Sequence, residues 1–380
     1  MMLSQYKNDV SDAYASMSKA MRHAYDYRSF DHPSDDPLAA AQTSEVHFQM
    51  LQNSDYASNI SSVKGEVQDG EKILQDVDSF LSAANSTTTL KAINGTMNKD
   101  NRSALADQLL NYRDSIVSEL NTKYADSYLF SGSGSGSQPF ELVKSADPDH
   151  PENDKLFYRG VNVDTGLVKA DDDKFDNDNK IINDPGALAP AKTAAQAELN
   201  TLKTTGADNL KKLCDDKVYV DVGLGMEVDP TTKEVVGQTA FNRSMPGISY
   251  VGCGTDANGT PQNVCSLLAK VAGVLKASSN ETLLTTGELN TIGKYTDVFN
   301  ASQSKCVAGQ SKLGNNVSFL ESSANYLSDA SINLAKRDND VEYVEPTSAI
   351  QDFYSQMYCY NASLKAGSQI LQQSLMDYLK

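Results

Sequence analysis

The stretch IGKYTDVFNASQSKCVAGQSKLGNNVSFLESSANYLSDASINL, residues 292–334, decides the architecture. Ile292, Phe299, Cys306, Leu313, Leu320, Leu327 and Leu334 recur through it every seven residues. Apolar side chains at that spacing share one stripe of an α-helix, because two turns of 3.6 residues nearly close on seven. No proline interrupts the run. A helix of this length reaches roughly 70 Å at about 1.5 Å per residue. A small globular core cannot cover such a stripe, so it needs long partner helices from the same chain.

Two such partners lie upstream. The spacing predicts a helix over about 37–90, in which Ile60, Val67, Leu74 and Leu81 are seven apart, with Val63 and Val77 between them. Asp36 suits its cap, and Pro37 its first turn, where no N–H is needed. Gly65 and Gly70 each weaken it by about 1 kcal/mol relative to Ala. After a loop containing Asn94-Gly95, Asn98 caps a further helix over about 99–130, with Leu105, Leu109, Tyr112, Ile116 and Leu120 on one face. The alternating Ser131–Ser137 run then reads as a flexible hinge.

Beyond it the texture changes. Residues 138–215 are rich in Asp, Asn, Pro and Gly, with strand-like Leu156-Phe157-Tyr158 and Val161-Asn162-Val163. Lys217–Val222 is a stronger strand candidate, and Val235-Val236 and Ile248–Val251 continue the β character. Helical periodicity returns near Asn263 with Val264, Leu267, Leu268, Val271 and Val274.

The ends carry stripes of their own. Leu3, Val10 and Met17 are seven apart in an amphipathic helix over 1–30, interleaved with Tyr6, Ala13 and Ala20. After a break at Glu345-Pro346-Thr347, Ile350, Met357, Leu364, Leu371 and Tyr378 repeat the pattern. The spacing predicts coiled-coil seams that join subunits, since no further layer of the chain is left to cover them. Five buried Leu-type side chains contribute about 10 kcal/mol at most. Association costs about 4–15 kcal/mol, so a ring or lattice is favoured over a lone pair, and the ends are expected to fold on assembly.

The expected fold is mainly α: a nested, discontinuous long-helix bundle with a smaller β-rich insert. Residues 1–36 and 345–380 form the terminal coiled-coil assembly layer. Residues 37–135 and 216–344 form the bundle core with a β-hairpin excursion, and 136–215 an acidic, β-rich surface insert.

The 380-residue chain has a formal net charge of −17, which argues against a nucleic-acid backbone as partner. No run of 18 apolar residues exists, so membrane insertion is not expected. The first thirty residues lack the parts of a cleaved signal peptide, which leaves cytoplasmic residence or export with an uncut N-terminus. His23, His32, His47 and His150 show no metal-ligand spacing, and no catalytic or phosphate-loop motif occurs. Catalytic, cofactor and metal residues are therefore all expected to be none. Gly223-Leu224-Gly225 reads as a turn. Asp171, Asp172, Asp173, Asp176 and Asp178 lack EF-hand spacing and read as a solvated acidic loop. Of the five cysteines, Cys306 reads as a core residue, while Cys253 and Cys265 are close enough in sequence to pair under oxidising conditions.

Three separated segments carry a family resemblance. Pro33-Ser34-Asp35-Asp36-Pro37-Leu38-Ala39-Ala40-Ala41-Gln42 resembles an N-terminal segment of the flagellin superfamily. Asn121-Thr122-Lys123-Tyr124, followed by Tyr128-Leu129-Phe130-Ser131-Gly132, looks like the signature of its hook-associated junction branch. Ser374-Leu375-Met376-Asp377-Tyr378-Leu379 resembles that branch's C-terminal ending. The similarity covers roughly 30–135 and 215–380 and omits the insert.

The resemblance implies a secreted structural subunit of the bacterial flagellum, a short ring at the hook–filament junction. Its implied partners are its own copies, the hook-side junction protein FlgK, filament flagellin and a cytoplasmic chaperone on the C-terminal helix. Export would use the flagellar type III route. Filament flagellin is the alternative within the superfamily. A secreted helical adhesin or type III tip-like module, binding through the insert, is the alternative outside it.

Overall fold

The computed structural model describes residues 2–93, 98–134, 136–145, 147, 150–278 and 284–378, and the side chains of all of these except 2–3, 87–93 and 370–378. In chain order the helices are α1 (Met2–Asp26), α2 (Pro37–Ile93), α3 (Lys99–Leu120), α4 (Lys169–Asn183), α5 (Ala189–Cys214), α6 (Gly247–Val251), α7 (Val264–Ala277), α8 (Thr286–Glu342) and α9 (Pro346–Tyr378). The strands are β1 (Lys123–Tyr124), β2 (Ser127–Tyr128), β3 (Phe140–Val143), β4 (Lys155–Tyr158), β5 (Val161–Asn162), β6 (Tyr219–Val220) and β7 (Phe241–Asn242). The chain divides into two compact units: a terminal unit, Met1–Ser58 with Ala324–Lys380, and a trunk unit, Asn59–Ser323.

In the trunk unit the stripe that opened the sequence is core. Ile292, Phe299, Cys306, Leu313 and Leu320 of α8 are buried, as are Ile60, Val63, Val67, Leu74, Val77, Leu81 and Ala84 of α2. Lys64 Nζ meets Glu321 Oε1 at 2.9 Å, and Gln303 Nε2 donates to Asp78 Oδ1 at 2.9 Å. Numbers falling along α8 as they rise along α2 make the pair antiparallel. The two glycines of α2 face close neighbours: a Cβ on Gly65 would overlap the Tyr124 hydroxyl, and one on Gly70 would lie 2.8 Å from Met245 Sδ. Their helix-propensity cost is offset by packing that no larger residue permits.

α3 packs on α7, and each starts on an asparagine cap. Asn98 accepts from Asn101 N, and Asn263 from Cys265 N and Ser266 N. The helix predicted to run to 130 ends at Leu120. Its next residue, Asn121, spends its side chain on β3, and residues 123–128 turn into the β1–β2 hairpin. The Asn94-Gly95 loop lies outside the described residues.

The predicted β-rich insert is only partly β. A three-stranded antiparallel sheet of order β3-β4-β5 is followed by two helices, α4 and α5, packed on each other. The acidic residues 171–178 lie on α4 and do not form a solvated loop. Asp172 is buried and accepts from Lys155 Nζ at 2.5 Å, Thr165 Oγ1 at 2.6 Å and Asn162 Nδ2 at 3.0 Å; Asp176 holds the same ammonium at 2.6 Å. Burial opposes the Lys155 charge, yet these carboxylates hold its pKa above the ordinary value. Lysine occupies the place a cation would take. Carboxylates in the first turn also suit the helix dipole, and such contacts override the weak helix propensity of Asp and Asn.

Two further readings change. Ile248–Val251 is helical in α6, entered from Pro246 and ended by Gly252 at φ 84°; a short apolar run cannot by itself distinguish strand from helix. The start of the Ser/Gly run is a pinned turn and not a free hinge. Asp216 Oδ2 accepts from Ser133 N at 2.8 Å, Ser133 Oγ at 2.7 Å and Arg159 Nη1 at 2.7 Å. Gly223 and Gly225, at φ 87° and 74°, form the expected turn.

Candidate assembly site

Within the terminal unit α1 and α9 lie against each other. The covered positions of α1 include Tyr6, Val10, Ala13, Met17, Ala20 and Ala24, and those of α9 include Ala349, Phe353, Gln356, Tyr360, Ser363 and Gly367. Both sets step alternately by four and three, the spacing of a coiled-coil seam. Small residues let the helices approach closely. Gly367 sits against the Tyr6 phenol, where even a methyl group would overlap the ring. The Tyr14 and Tyr360 rings meet at the flank, centroids 5.7 Å apart.

The N-terminal stripe is therefore covered inside the chain: Tyr6, Val10 and Met17 are half-buried against α9. This corrects the premise that no layer remains to cover it. The C-terminal stripe splits. Met357 is half-buried, while Ile350 and Leu364 each keep 41% of their surface exposed. A sevenfold count identifies a stripe but not which stripe meets the neighbour, and on α9 the seam runs through Ala349, Phe353, Gln356, Tyr360, Ser363 and Gly367, out of phase with Ile350 and Leu364. Leu3, Leu371, Asp377, Tyr378 and Leu379 lie outside the residues with described side chains.

The sequence reading missed the outward set. Tyr14, Met21 and Tyr25 on α1, and Tyr354 and Tyr358 on α9, are all exposed, Tyr25 by 89%. The available signal is a second run of aromatic residues, out of phase with the sevenfold stripe. Large apolar side chains grouped on one helix pair mark an interaction surface more often than a free one.

The first family segment builds the entry to α2. Asp36 Oδ1 accepts from Leu38 N at 3.1 Å and Ala39 N at 2.9 Å, as a cap should. Asp35 Oδ2 accepts from His32 N at 3.0 Å, which holds the Asp35 carboxyl below its ordinary range. Pro33 and Ser34 lie in the same turn. The linkers at the two ends of the unit touch: Ser29 N donates to Glu342 O at 2.7 Å, Val344 N to Tyr27 O at 2.8 Å, and Arg28 pairs with the Glu342 carboxylate. His47 Nε2 approaches Asp338 Oδ1 at 3.0 Å and Glu342 Oε2 at 3.7 Å. These three are the one candidate metal-ligand trio among the described residues. Arg28 already pairs with the Glu342 carboxylate of this trio.

The second family segment, in the trunk unit, is a junction of elements. Asn121 Oδ1 accepts from Phe140 N and its Nδ2 donates to Phe140 O, both at 2.9 Å, so a side-chain amide stands in for a strand. Thr122 O accepts from Leu129 N at 3.2 Å, and Lys123 and Tyr124 pair with Tyr128 and Ser127. Leu129 and Phe130 are buried. The Phe130 carbonyl accepts from both Gly247 N and the Tyr158 hydroxyl at 2.9 Å, and its ring meets Tyr250 edge-on. These residues hold α3, the sheet and α6 together.

The fold is that of a class. Across 81% of this chain and 100% of the comparison chain, it matches the solved structure of a candidate flagellar hook-associated protein from Vibrio parahaemolyticus, with a TM-score of 0.52 and 17% identity. The relatives in sequence are more particular. The chain is 28% identical over 142 residues to flagellar hook-associated protein 3 of Salmonella typhimurium, and 28% identical over 145 residues to that of Escherichia coli. Those alignments cover 37% and 38% of this chain, and 44% and 45% of the relatives, less than half their length. No family model matches. The resemblance to the hook-associated branch read from the motifs is borne out.

Proposed function

We propose that this chain is a structural, non-enzymatic subunit of the bacterial flagellum that forms a short ring at the hook–filament junction. The sequence relation to flagellar hook-associated protein 3 carries this reading. The outward face of the α1–α9 pair, with Tyr25, Tyr358 and Leu364 exposed, supports a polymerising role for the ends of the chain. Each exposed side chain contributes little alone, so neighbours in a ring, the hook-side junction protein and the first filament flagellins are the fitting partners. Residues 1–36 and 345–380 are the assembly layer in this reading, 37–135 and 216–344 the supporting core, and 136–215 the surface insert. Export follows the flagellar type III route, with a chaperone shielding α9.

Deleting the gene tests it. The expected strain keeps its hooks, lacks filaments and sheds flagellin into the medium. Normal filaments would reject the proposal, and antibody labelling along the whole filament would favour a filament flagellin.

A further inference from the structure

Only one pair of cysteine sulfurs meets among the described residues, and it is not the pair closest in sequence. Cys265 is buried in α7 and Cys306 in α8, where burial pushes each thiol up to about 12. Cys359 is exposed on α9. Cys253 lies instead 3.3 Å, sulfur to sulfur, from Cys214, the last residue of α5. Both are half-buried, unlike the sealed Cys265 and Cys306. We propose that Cys214 and Cys253 are a modification site, closing to an intrachain disulfide that ties the end of α5 to the strap between α6 and α7.

The backbone presents the pair. Gly252 ends α6 at φ 84° and packs so closely on Gln262 O that a Cβ would overlap it. Asn263 Nδ2 donates to Gly252 O at 2.8 Å, Gly254 N to Val163 O at 2.8 Å, and Gln262 N to Gly254 O at 2.8 Å. Cys253 is thus pinned on both sides. Cys214 sits on the last turn of a 26-residue helix whose Leu199 and Leu210 are buried. A disulfide needs about 2.05 Å between sulfurs, so this pair, at 3.3 Å, must close by about 1.3 Å.

The two thiols are unequal. The Cys214 thiol beside it, and then Lys305, hold Cys253 below the ordinary thiol range against the opposing effect of burial; Cys214 is pushed well above it by the same contact and by burial. Attack from either sulfur gives the same crosslink, and Lys305 favours the thiolate of Cys253. Its thiolate attacks one sulfur of a small-molecule disulfide, such as oxidised glutathione, and expels one thiolate. Cys214, on losing its proton, attacks the Cys253 sulfur of the mixed disulfide and expels the second. The two protein thiols lose two electrons and two protons, and the reagent disulfide gains them as two thiols.

The test uses the full chain carrying Cys359→Ser, incubated with oxidised glutathione, followed by intact mass and a non-reducing peptide map. The expected result is a loss of about 2 Da, a Cys214–Cys253 crosslinked peptide, and an unfolding midpoint raised by about 5–10 °C over the reduced form. Cys214→Ser should stop at a stable glutathione adduct on Cys253, and Cys265→Ser should leave the crosslink unchanged. A chain that stays reduced, or a map joining Cys253 to Cys265, would overturn the proposal.

Discussion

Replacing Asn121 by Ala tests whether the second family segment acts as a folding junction. Asn121 meets both backbone polar groups of Phe140 at 2.9 Å, and Phe140 is fully buried. The truncation leaves the Phe140 N–H without its partner, while the Phe140 C=O keeps the Gln138 Nε2 donor at 3.0 Å. A buried donor left without a partner costs about 1–3 kcal/mol, so the trunk unit should lose about that much. Asn121→Asp separates the two bonds. The remaining carboxylate still accepts from Phe140 N, but its other oxygen faces the Phe140 carbonyl and repels it unless protonated. The folded state therefore raises this carboxyl's pKa above its unfolded value. The rescue is fully present below the unfolded pKa and is lost as pH rises through the folded pKa. The chain contains no tryptophan, so urea unfolding is followed by far-UV circular dichroism at several pH values, with amide exchange at Phe140 as the local readout. A loss below about 0.5 kcal/mol in the Ala variant, or an Asp variant insensitive to acid, would refute the junction role.

Three further outcomes follow from the same geometry. Leu364→Asp, at a position 41% exposed, should abolish assembly while the circular dichroism and unfolding of the monomer stay unchanged; a melted terminal unit would place this side chain inside the fold instead. Leu320→Ala, in the buried stripe of α8, should cost about 2–5 kcal/mol by urea titration, whereas Ile332→Ser, on the exposed face, should change stability by less than about 0.5 kcal/mol. Asp164 has an Oδ1 sealed from solvent without a partner, and burial raises its pKa from 3.8 to about 6. The folded state then binds more protons than the unfolded one between those values, so stability falls as pH rises through that window. Asp164→Asn should remove that slope and add up to about 3 kcal/mol at pH 7; an unaltered pH profile would show that this carboxyl is not the source.

Much of the fold is legible because long periodic patterns leave few choices. Ile292 through Leu320 and Ile60 through Leu81 are predicted and found as buried stripes. The caps at Asp36 and Asn98 are equally local, since each depends only on an acceptor side chain two or three residues before free N–H groups. What fails is local composition used to infer distant contacts. Asp172 sits in a polar, turn-like sequence, yet Lys155, Thr165 and Asn162 make it a buried anchor of a helix. Cys253 is nearest in sequence to Cys265, yet its sulfur faces Cys214, 39 residues away.

The ends of the chain show the same division. The sequence by itself determines that residues 1–30 and 345–380 carry apolar residues at helical spacing, because the period of the α-helix fixes which side chains share a stripe. Only the tertiary structure decides which stripe is spent within the chain. Gly367, Ala349 and Ala20 let the two helices approach, and Tyr6, Val10, Met17, Phe353 and Tyr360 fill the rest of the inner seam. Ile350, Leu364 and the flanking tyrosines are left outside that seam. Helical phase is a local property, whereas burial belongs to a pair of surfaces and exists only once both are in place.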